Sequence, residues 1–310
     1  MDQIKFSVIV PVGRTGSEKK IEETVRKNDF PQEQIEIIFV AGADLPGEKR
    51  NVGAFFSKGE YLVFIDDDVE LEGDYFAKLK KILDRGDIDV VGGPNRGPES
   101  GNRVQRMIDR AFQSRLGFGK GAERFRNKGT VIKGNEDNLT ACNLCIKKST
   151  FVSAGGFDKR LFPGEEVELI RRLRLQKYHL IYHPDIQVIH HRRTSLRGLW
   201  KQVFCYGRGR ADLIARKGFE IRDISYLVPS CVVVYILLLP LMLMIFPASP
   251  YTIGVLAYLA VLLIYCLKEG IANKLDAKET ATLFAVFITI HIAYGCGMLS
   301  RLKSLKAGDD

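Results

Sequence analysis

Beyond Arg222 this chain stops resembling one made for water. Three runs, Tyr226 to Phe246, Ala248 to Leu267 and Ala281 to Leu299, contain no Asp, Glu, Lys or Arg. Each is close to the ~20 residues that carry a helix across a bilayer core, and a buried helix of a soluble protein rarely excludes charge for so long. Lipid offers the backbone no hydrogen-bond partner, so such runs have to be helical. Before Arg222, charged and apolar residues are interspersed as in an ordinary globular domain. The sequence therefore divides into a water-soluble part and a membrane part. Met1 to Lys5 lead directly into a short strand with no signal peptide, so the expectation for the soluble part is the cytosol.

The formal net charge of +9 gathers where the membrane part begins. Arg192, Arg193, Arg197, Lys201, Arg208, Arg210, Arg216, Lys217 and Arg222 crowd the approach to the first apolar run. The positive-inside rule makes this flank cytoplasmic, and such a segment can hold anionic headgroups or a lipid diphosphate. No nucleic-acid motif accompanies these residues, so nucleic acid is not an expected partner. One conflict remains. Three spans would place Arg301, Lys303 and Lys306 outside, against the rule; either the bias is overruled there or one run is re-entrant or interfacial. The third run, with His291, Gly295 and Gly297, is the weakest candidate for a full span.

In the soluble part, Tyr61-Leu-Val-Phe-Ile runs straight into Asp66-Asp67-Asp68. A short apolar run reads as a strand buried in a sheet, and open α/β sheets bind ligands at the carboxyl ends of their strands. Three like charges there repel one another. A hard divalent cation, Mg2+ or Mn2+ shared with a substrate diphosphate, is the natural partner; a solvated acidic turn is the plain alternative. Around this tract, strands at 6–12, 35–40 and 88–91 alternate with helices from Ser17, Pro46 and Asp74. That alternation predicts a mainly parallel α/β sheet. Gly117 to Lys133 reads as a mobile loop, and Leu139 to Ile146 as a strand.

Other motifs carry less. Gly13-Arg-Thr-Gly-Ser17 lacks the spacing of a phosphate loop. Cys142 and Cys145 form a C-x-x-C with no second pair, and read as structural thiols. Gly164 frees the start of a helix whose Glu165, Glu166 and Glu168 complement its positive end. If that end faces the triple Asp, Glu166 could also take a proton from an attacking hydroxyl. Period-two alternation puts Ile186, Val188 and His190 on one strand face, where His190 is either a metal ligand or simply hydrogen-bonded. Gln202 to Arg210 lies on an amphipathic stretch for which interfacial packing is a sufficient account.

Taken in order, Ser7-Val-Ile-Val-Pro11-Val12, Arg50-Asn51-Val-Gly-Ala54, Gly59 to Asp68, Thr140-Ala-Cys-Asn143-Leu144, Gly155-Gly-Phe-Asp158 and Gly164 to Leu169 resemble a family 2 glycosyltransferase with the GT-A fold. The resemblance spans about residues 4–215. Arg193-Thr-Ser-Leu, Gln202 and Tyr206-Gly-Arg-Gly-Arg210 are similar to members that build bacterial exopolysaccharides and end in membrane helices. The resemblance implies Asp66, Asp68 and His190 as ligands of Mg2+ or Mn2+, and Glu166, preceded by Glu165, at the catalytic base. It also implies donor contacts from Pro11, Asp44, Arg50, Asn51, Asp66 and Asp67. For the acceptor or its lipid diphosphate it implies Asn143, Arg193, Gln202, Tyr206, Arg208 and Arg210. Two departures stand out. The base position holds Glu where the family has Asp, and the paired acids usual after the second strand are replaced by Ala41-Gly-Ala-Asp44. The processive signature Q-x-x-R-W is absent, since the only Trp is Trp200.

The leading expectation is an inverting, metal-dependent transferase at the cytosolic face of the inner membrane. It would move a sugar from a nucleotide-sugar donor to a glycan or lipid-linked acceptor. Rival readings are a membrane-bound sugar-nucleotide binding module without turnover, and a nucleotidyltransferase. The expected organisation is a cytosolic GT-A domain over 1–192 and a basic interfacial segment over 193–225. A multi-pass membrane domain follows over 226–310, with candidate spans 226–246, 248–267 and 281–299.

Overall fold

A computed structural model describes residues 4–13, 18–42, 45–245 and 250–306. Arg14 to Ser17, with the helix cap expected there, and Asp44 lie outside the described residues. The chain forms two compact units, one of residues 1–98 with 120–191, the other of residues 99–119 with 192–310.

The first unit follows the expected alternation. Its elements begin with β1 (Phe6–Pro11), α1 (Glu18–Arg26), β2 (Ile35–Val40), α2 (Pro46–Phe56), β3 (Tyr61–Ile65), β4 (Val69–Leu71), α3 (Tyr75–Leu83), β5 (Val90–Gly92) and β6 (Asn95–Arg96). After α4 (Arg103–Phe112) and α5 (Arg115–Phe118) of the second unit come β7 (Ile132–Lys133), β8 (Asn143–Lys147), α6 (Lys148–Ser153), α7 (Glu165–Leu175), β9 (Leu180–Tyr182) and β10 (Val188–His190). Seven strands make one mixed sheet in the order β2-β1-β3-β8-β5-β9-β7. The pairs β1–β2, β1–β3 and β5–β9 are parallel, while β8 runs antiparallel to both β3 and β5.

The apolar run of β3 is buried throughout because the sheet is covered on both faces. Val8, Val10, Tyr61, Val63 and Ile65 point to the side of Ile21 and Val25 of α1 and Phe76 and Leu79 of α3. Ile9, Leu62 and Phe64 point to the side of Ala54 of α2, Phe151 of α6 and Leu169, Ile170 and Leu173 of α7. Successive strand residues thus feed two separate cores.

Two expectations are corrected here. The stretch from Leu139 becomes a strand only at Asn143, because Asn135 N–H donates to Asn138 Oδ1 and the backbone turns through Thr140 to Asn143 first. Residues 117–133 are not a bare loop: a 3-10 helix over Gly119–Phe125 buries Gly121, Ala122 and Phe125, and β7 follows.

The second unit is helical. It contains α4 (Arg103–Phe112), α5 (Arg115–Phe118), α8 (Leu196–Lys217), α9 (Ile224–Ile245), α10 (Pro250–Ala272) and α11 (Ala277–Lys306). Asn102 caps α4 in a reciprocal capping box with Gln105, and Ser195 caps α8 by accepting from Gly198 N–H. Three helical stretches, Ile221–Ile245, Tyr251–Ala272 and Ala277–Arg301, are long and apolar enough to cross a membrane.

Candidate active site

The triple Asp leaves the carboxyl end of β3, and the chain then turns into β4. Pairing of β4 with β10 in a small second sheet sets His190 opposite Val69, one residue past Asp68. His190 Nε2 therefore lies 2.9 Å from Asp68 Oδ1. Its other ring nitrogen, Nδ1, is 3.2 Å from Asn95 Nδ2, which also donates to Cys142 Sγ at 2.9 Å. Burial works against a proton on His190, but the hydrogen bond to Asp68, with the Cys142 sulfur beside it, outweighs burial and raises the ring to about 10. Asp66, Asp68 and His190 each offer one ligand atom, all within 4.8 Å of one another. Two carboxylate oxygens and one imidazole nitrogen, its proton displaced by the ion, fit Mn2+ or Mg2+, and the imidazole leans the set toward Mn2+. The middle acid does something else: Asp67 Oδ2 accepts from Gly13 N–H at 2.8 Å, tying the triple Asp to the end of β1.

Arg50 of α2 joins this cluster to the start of α7. Its guanidinium donates to Asp66 Oδ1 at 2.7 Å and to Glu165 Oε1 at 2.9 Å, and its side chain is only 5% exposed. A guanidinium fork is well suited to bridging two carboxylates. The second oxygen of Glu165 accepts from Gly164 N–H at 3.0 Å. Gly164 sits at φ +126°, a backbone region that disfavours any side chain, so the turn into α7 depends on glycine. Burial first, then the charge of Glu166, push the Glu165 carboxyl up to about 7 against the pull of Arg50.

Of the two acids, Glu166 is the more open. Glu165 is 4% exposed at its side chain and Glu166 18%, and the Glu166 Oε1 lies 3.6 Å from Arg124 Nη1. Arg124 is itself braced: it donates to the Glu136 backbone carbonyl at 2.6 Å, and Glu136 receives the Arg174 fork at 2.8 and 2.9 Å. Sequence reasoning missed Arg124, because it falls in the Gly-, Arg- and Lys-rich stretch that carries no periodic signal. It also missed Asn95, whose two-residue strand is too short to read.

Two residues have their polar groups engaged within the fold. The Asn51 amide closes a double hydrogen bond on the Phe157 backbone, Nδ2 to the carbonyl at 2.8 Å and Oδ1 from the N–H at 2.9 Å. These bonds clamp α2 to the chain leading to α7. Asn143 is wholly buried: its amide donates to the Ile186 carbonyl at 2.7 Å and accepts from Tyr75 Oη at 2.8 Å. Pro11 ends β1 and is buried beside Val40.

The remaining expected residues belong to the second unit. Arg193 and Arg208 are exposed, and Gln202 donates to Tyr206 Oη at 2.9 Å within α8. Arg210 pairs with Asp223 at 3.4 Å and lies over the Tyr226 ring at 3.8 Å, holding the start of α9.

Comparison with known proteins bears on this geometry. The model of the glycosyl transferase family 2 matches residues 15–143. The pre-mycofactocin glycosyltransferase of Mycobacterium tuberculosis, in two strains, is 25% identical over 190 residues, 59% of this chain and 37% of the relative. The chain thus spans little more than a third of the length of these curated relatives. Among solved structures, a mannosyltransferase from Pyrobaculum calidifontis in complex with GDP-Man and Mn2+ superposes with a TM-score of 0.59 at 14% identity. That likeness covers 98% of this chain and 88% of the other. The α/β unit has the GT-A fold.

Proposed function

We propose, for a chain that carries the family 2 glycosyltransferase sequence across residues 15–143, a metal-dependent, inverting sugar transfer from a nucleotide-sugar to an acceptor hydroxyl at a membrane face. The observation that carries the reading is the bridge of Arg50 from Asp66 to Glu165. It sets the candidate metal ligands and the carboxylates of α7 on two sides of one guanidinium. Asp66, Asp68 and His190 would hold Mg2+ or Mn2+, which when bound offsets negative charge on a departing nucleoside diphosphate.

The chain's own groups do the rest. Glu166 accepts the proton of the acceptor hydroxyl, a contribution of about 10²–10⁴-fold for a positioned base. Glu165 accepts a hydrogen bond at each oxygen, from Arg50 and from Gly164 N–H, and we assign it to orienting Arg50 and through it Asp66. Arg124, 3.6 Å from Glu166, offsets its charge. An acceptor hydroxyl that loses its proton to Glu166 and attacks the anomeric carbon opposite the departing diphosphate would invert it in one displacement. The basic residues of α8 and the apolar helices after it support a lipid-linked or glycan acceptor at the cytosolic face of the inner membrane.

The test is release of nucleoside diphosphate from UDP-, GDP- and dTDP-sugars, with membrane lipid extract as acceptor. Turnover should need Mn2+ or Mg2+, stop with EDTA and be lost in Asp68→Ala. Full turnover after EDTA would remove the metal from the mechanism, and pyrophosphate as the product would replace sugar transfer with nucleotidyl transfer.

A further inference from the structure

Asn95, Cys142 and His190 are far apart in sequence yet meet beside the triple Asp. Strand β6 runs parallel to β10 with Asn95 opposite Val188, and His190 follows two residues later on the same strand face. The approach is close: a Cβ on Gly92 would strike the Asn143 carbonyl, and one on Gly93 the Ile186 carbonyl. Glycine therefore lets the chain leading to Asn95 pass near both β8 and the segment entering β10. Asn143 ties those two together, its amide donating to the Ile186 carbonyl at 2.7 Å. Asn95 and Cys142 end up buried, only 4% and 3% exposed.

The Asn95 amide meets the histidine from behind. Its Nδ2 is 3.2 Å from His190 Nδ1 and donates to Cys142 Sγ at 2.9 Å, while His190 Nε2 lies 2.9 Å from Asp68 Oδ1. Nε2 is thus the atom offered to an ion. A neutral imidazole that gives one nitrogen to a metal carries its hydrogen on the other, and that hydrogen needs an acceptor. A carboxylate, a backbone carbonyl or water is the usual one. Here a side-chain amide stands in that place. Its two ends are nearly the same size, so a half turn presents Oδ1 to the ring in the same space. The Cys142 thiol, a weak donor and a weak acceptor, can pair with either face of the amide.

We propose that Asn95, backed by Cys142, is a positioning residue for the metal. It holds the His190 ring with Nε2 toward Asp68 and accepts the Nδ1 hydrogen once the ion is bound. A neutral acceptor raises the basicity of the ring less than a carboxylate would, so Asn95→Asp has room to strengthen the ligand.

The inference rests on the reading of Asp66, Asp68 and His190 as metal ligands, and titration of the full-length chain in detergent with Mn2+ alone separates the two. Free Mn2+ is read from the paramagnetic resonance of the hydrated ion. Asn95→Leu keeps the size of the side chain and removes the hydrogen bond, and should weaken binding by about 10–100-fold. Asn95→Asp always offers the ring an acceptor. It should bind Mn2+ at least as tightly as the parent, even while its buried carboxylate lowers the unfolding temperature. A residue that served stability alone would not separate affinity from stability in this way. In a His190→Ala background neither change should alter affinity further, because the ring through which Asn95 acts is gone. Equal affinity of the parent and Asn95→Leu would overturn the inference and leave the metal site standing. So would weaker binding by Asn95→Asp, which decides alone where Asn95→Leu does not fold, or unchanged shifts in the His190→Ala background. A parent chain with no Mn2+ binding that Asp68→Ala abolishes would overturn the metal reading and the inference together.

Discussion

At the scale of residues, the two adjacent acids of α7 have been given opposite surroundings. Glu166→Gln should keep the fold and donor binding and lower turnover by about 10²-fold or more, because an amide cannot accept the acceptor's proton. As a helix-dipole residue alone, Glu165 would be worth only about 0.3–1 kcal/mol. Its buried pair with Arg50 changes that expectation: Glu165→Ala leaves a guanidinium short of a partner and should destabilise by about 3–5 kcal/mol. Thermal unfolding together with steady-state rates checks both; a stable, inactive Glu165→Ala beside an active Glu166→Gln would move the base to Glu165. The same pair makes stability depend on pH. The Glu165 carboxyl is raised from 4.5 to about 7, so the folded chain holds a proton that the unfolded chain has released. The stability it contributes is full below 4.5 and is lost as pH rises through about 7. Unfolding temperatures across that window should fall with pH in the parent chain and flatten in Glu165→Gln. An unchanged slope in the variant would assign the proton elsewhere.

At the scale of elements, the site depends on how short pieces are held to longer ones. The three-residue strands β4 and β10 bring His190 to Asp68, and the contact of its Nδ1 with Asn95 leaves Nε2 facing the acid. The clamp of Asn51 on Phe157 holds α2 to the chain entering α7, and so sets the distance across which Arg50 reaches Glu165. Asn51→Ala strips the Phe157 backbone of two partners, and each group left unsatisfied costs about 1–3 kcal/mol. The expected result is a clear drop in unfolding temperature with nucleotide affinity retained in the protein that remains folded. A stable variant with weakened nucleotide binding, read by calorimetry, would instead return Asn51 to the donor.

At the scale of the molecule, the excursion at 99–119 matters most for handling the protein. Met107, Ile108, Ala111 and Phe112 of α4 are buried within the helical unit. A cut after Arg192 would remove the helices of that unit from 196 onward and leave these side chains without cover. At about 25 cal/mol per Å² of apolar surface, several uncovered core side chains make a strong drive to associate. The truncated chain should therefore elute as soluble aggregate in size-exclusion chromatography, whereas the full chain in detergent should not. A monodisperse truncated chain would show that α4 can cover its apolar face without the later helices.

Much of this protein could be read from local pattern. Buried strands, capped helices and charge-free runs leave signals within a dozen residues, which is why β1, β2, β3, α2 and the three apolar helices stand where the sequence places them. The triple Asp at a strand end was legible for the same reason, since one strand and its turn suffice to present it. What tertiary structure decided was contact between distant residues: His190 with Asp68, Arg50 with both Asp66 and Glu165, and Arg124 with Glu166. It also decided the inward turn of Asn143 and the membership of 99–119 in the second unit. Hydropathy measures how strongly a helix avoids water. Whether lipid or neighbouring protein supplies the cover is a property of packing: 44% of the apolar window of α11 is buried within the protein, against 11% for that of α9 and 17% for that of α10.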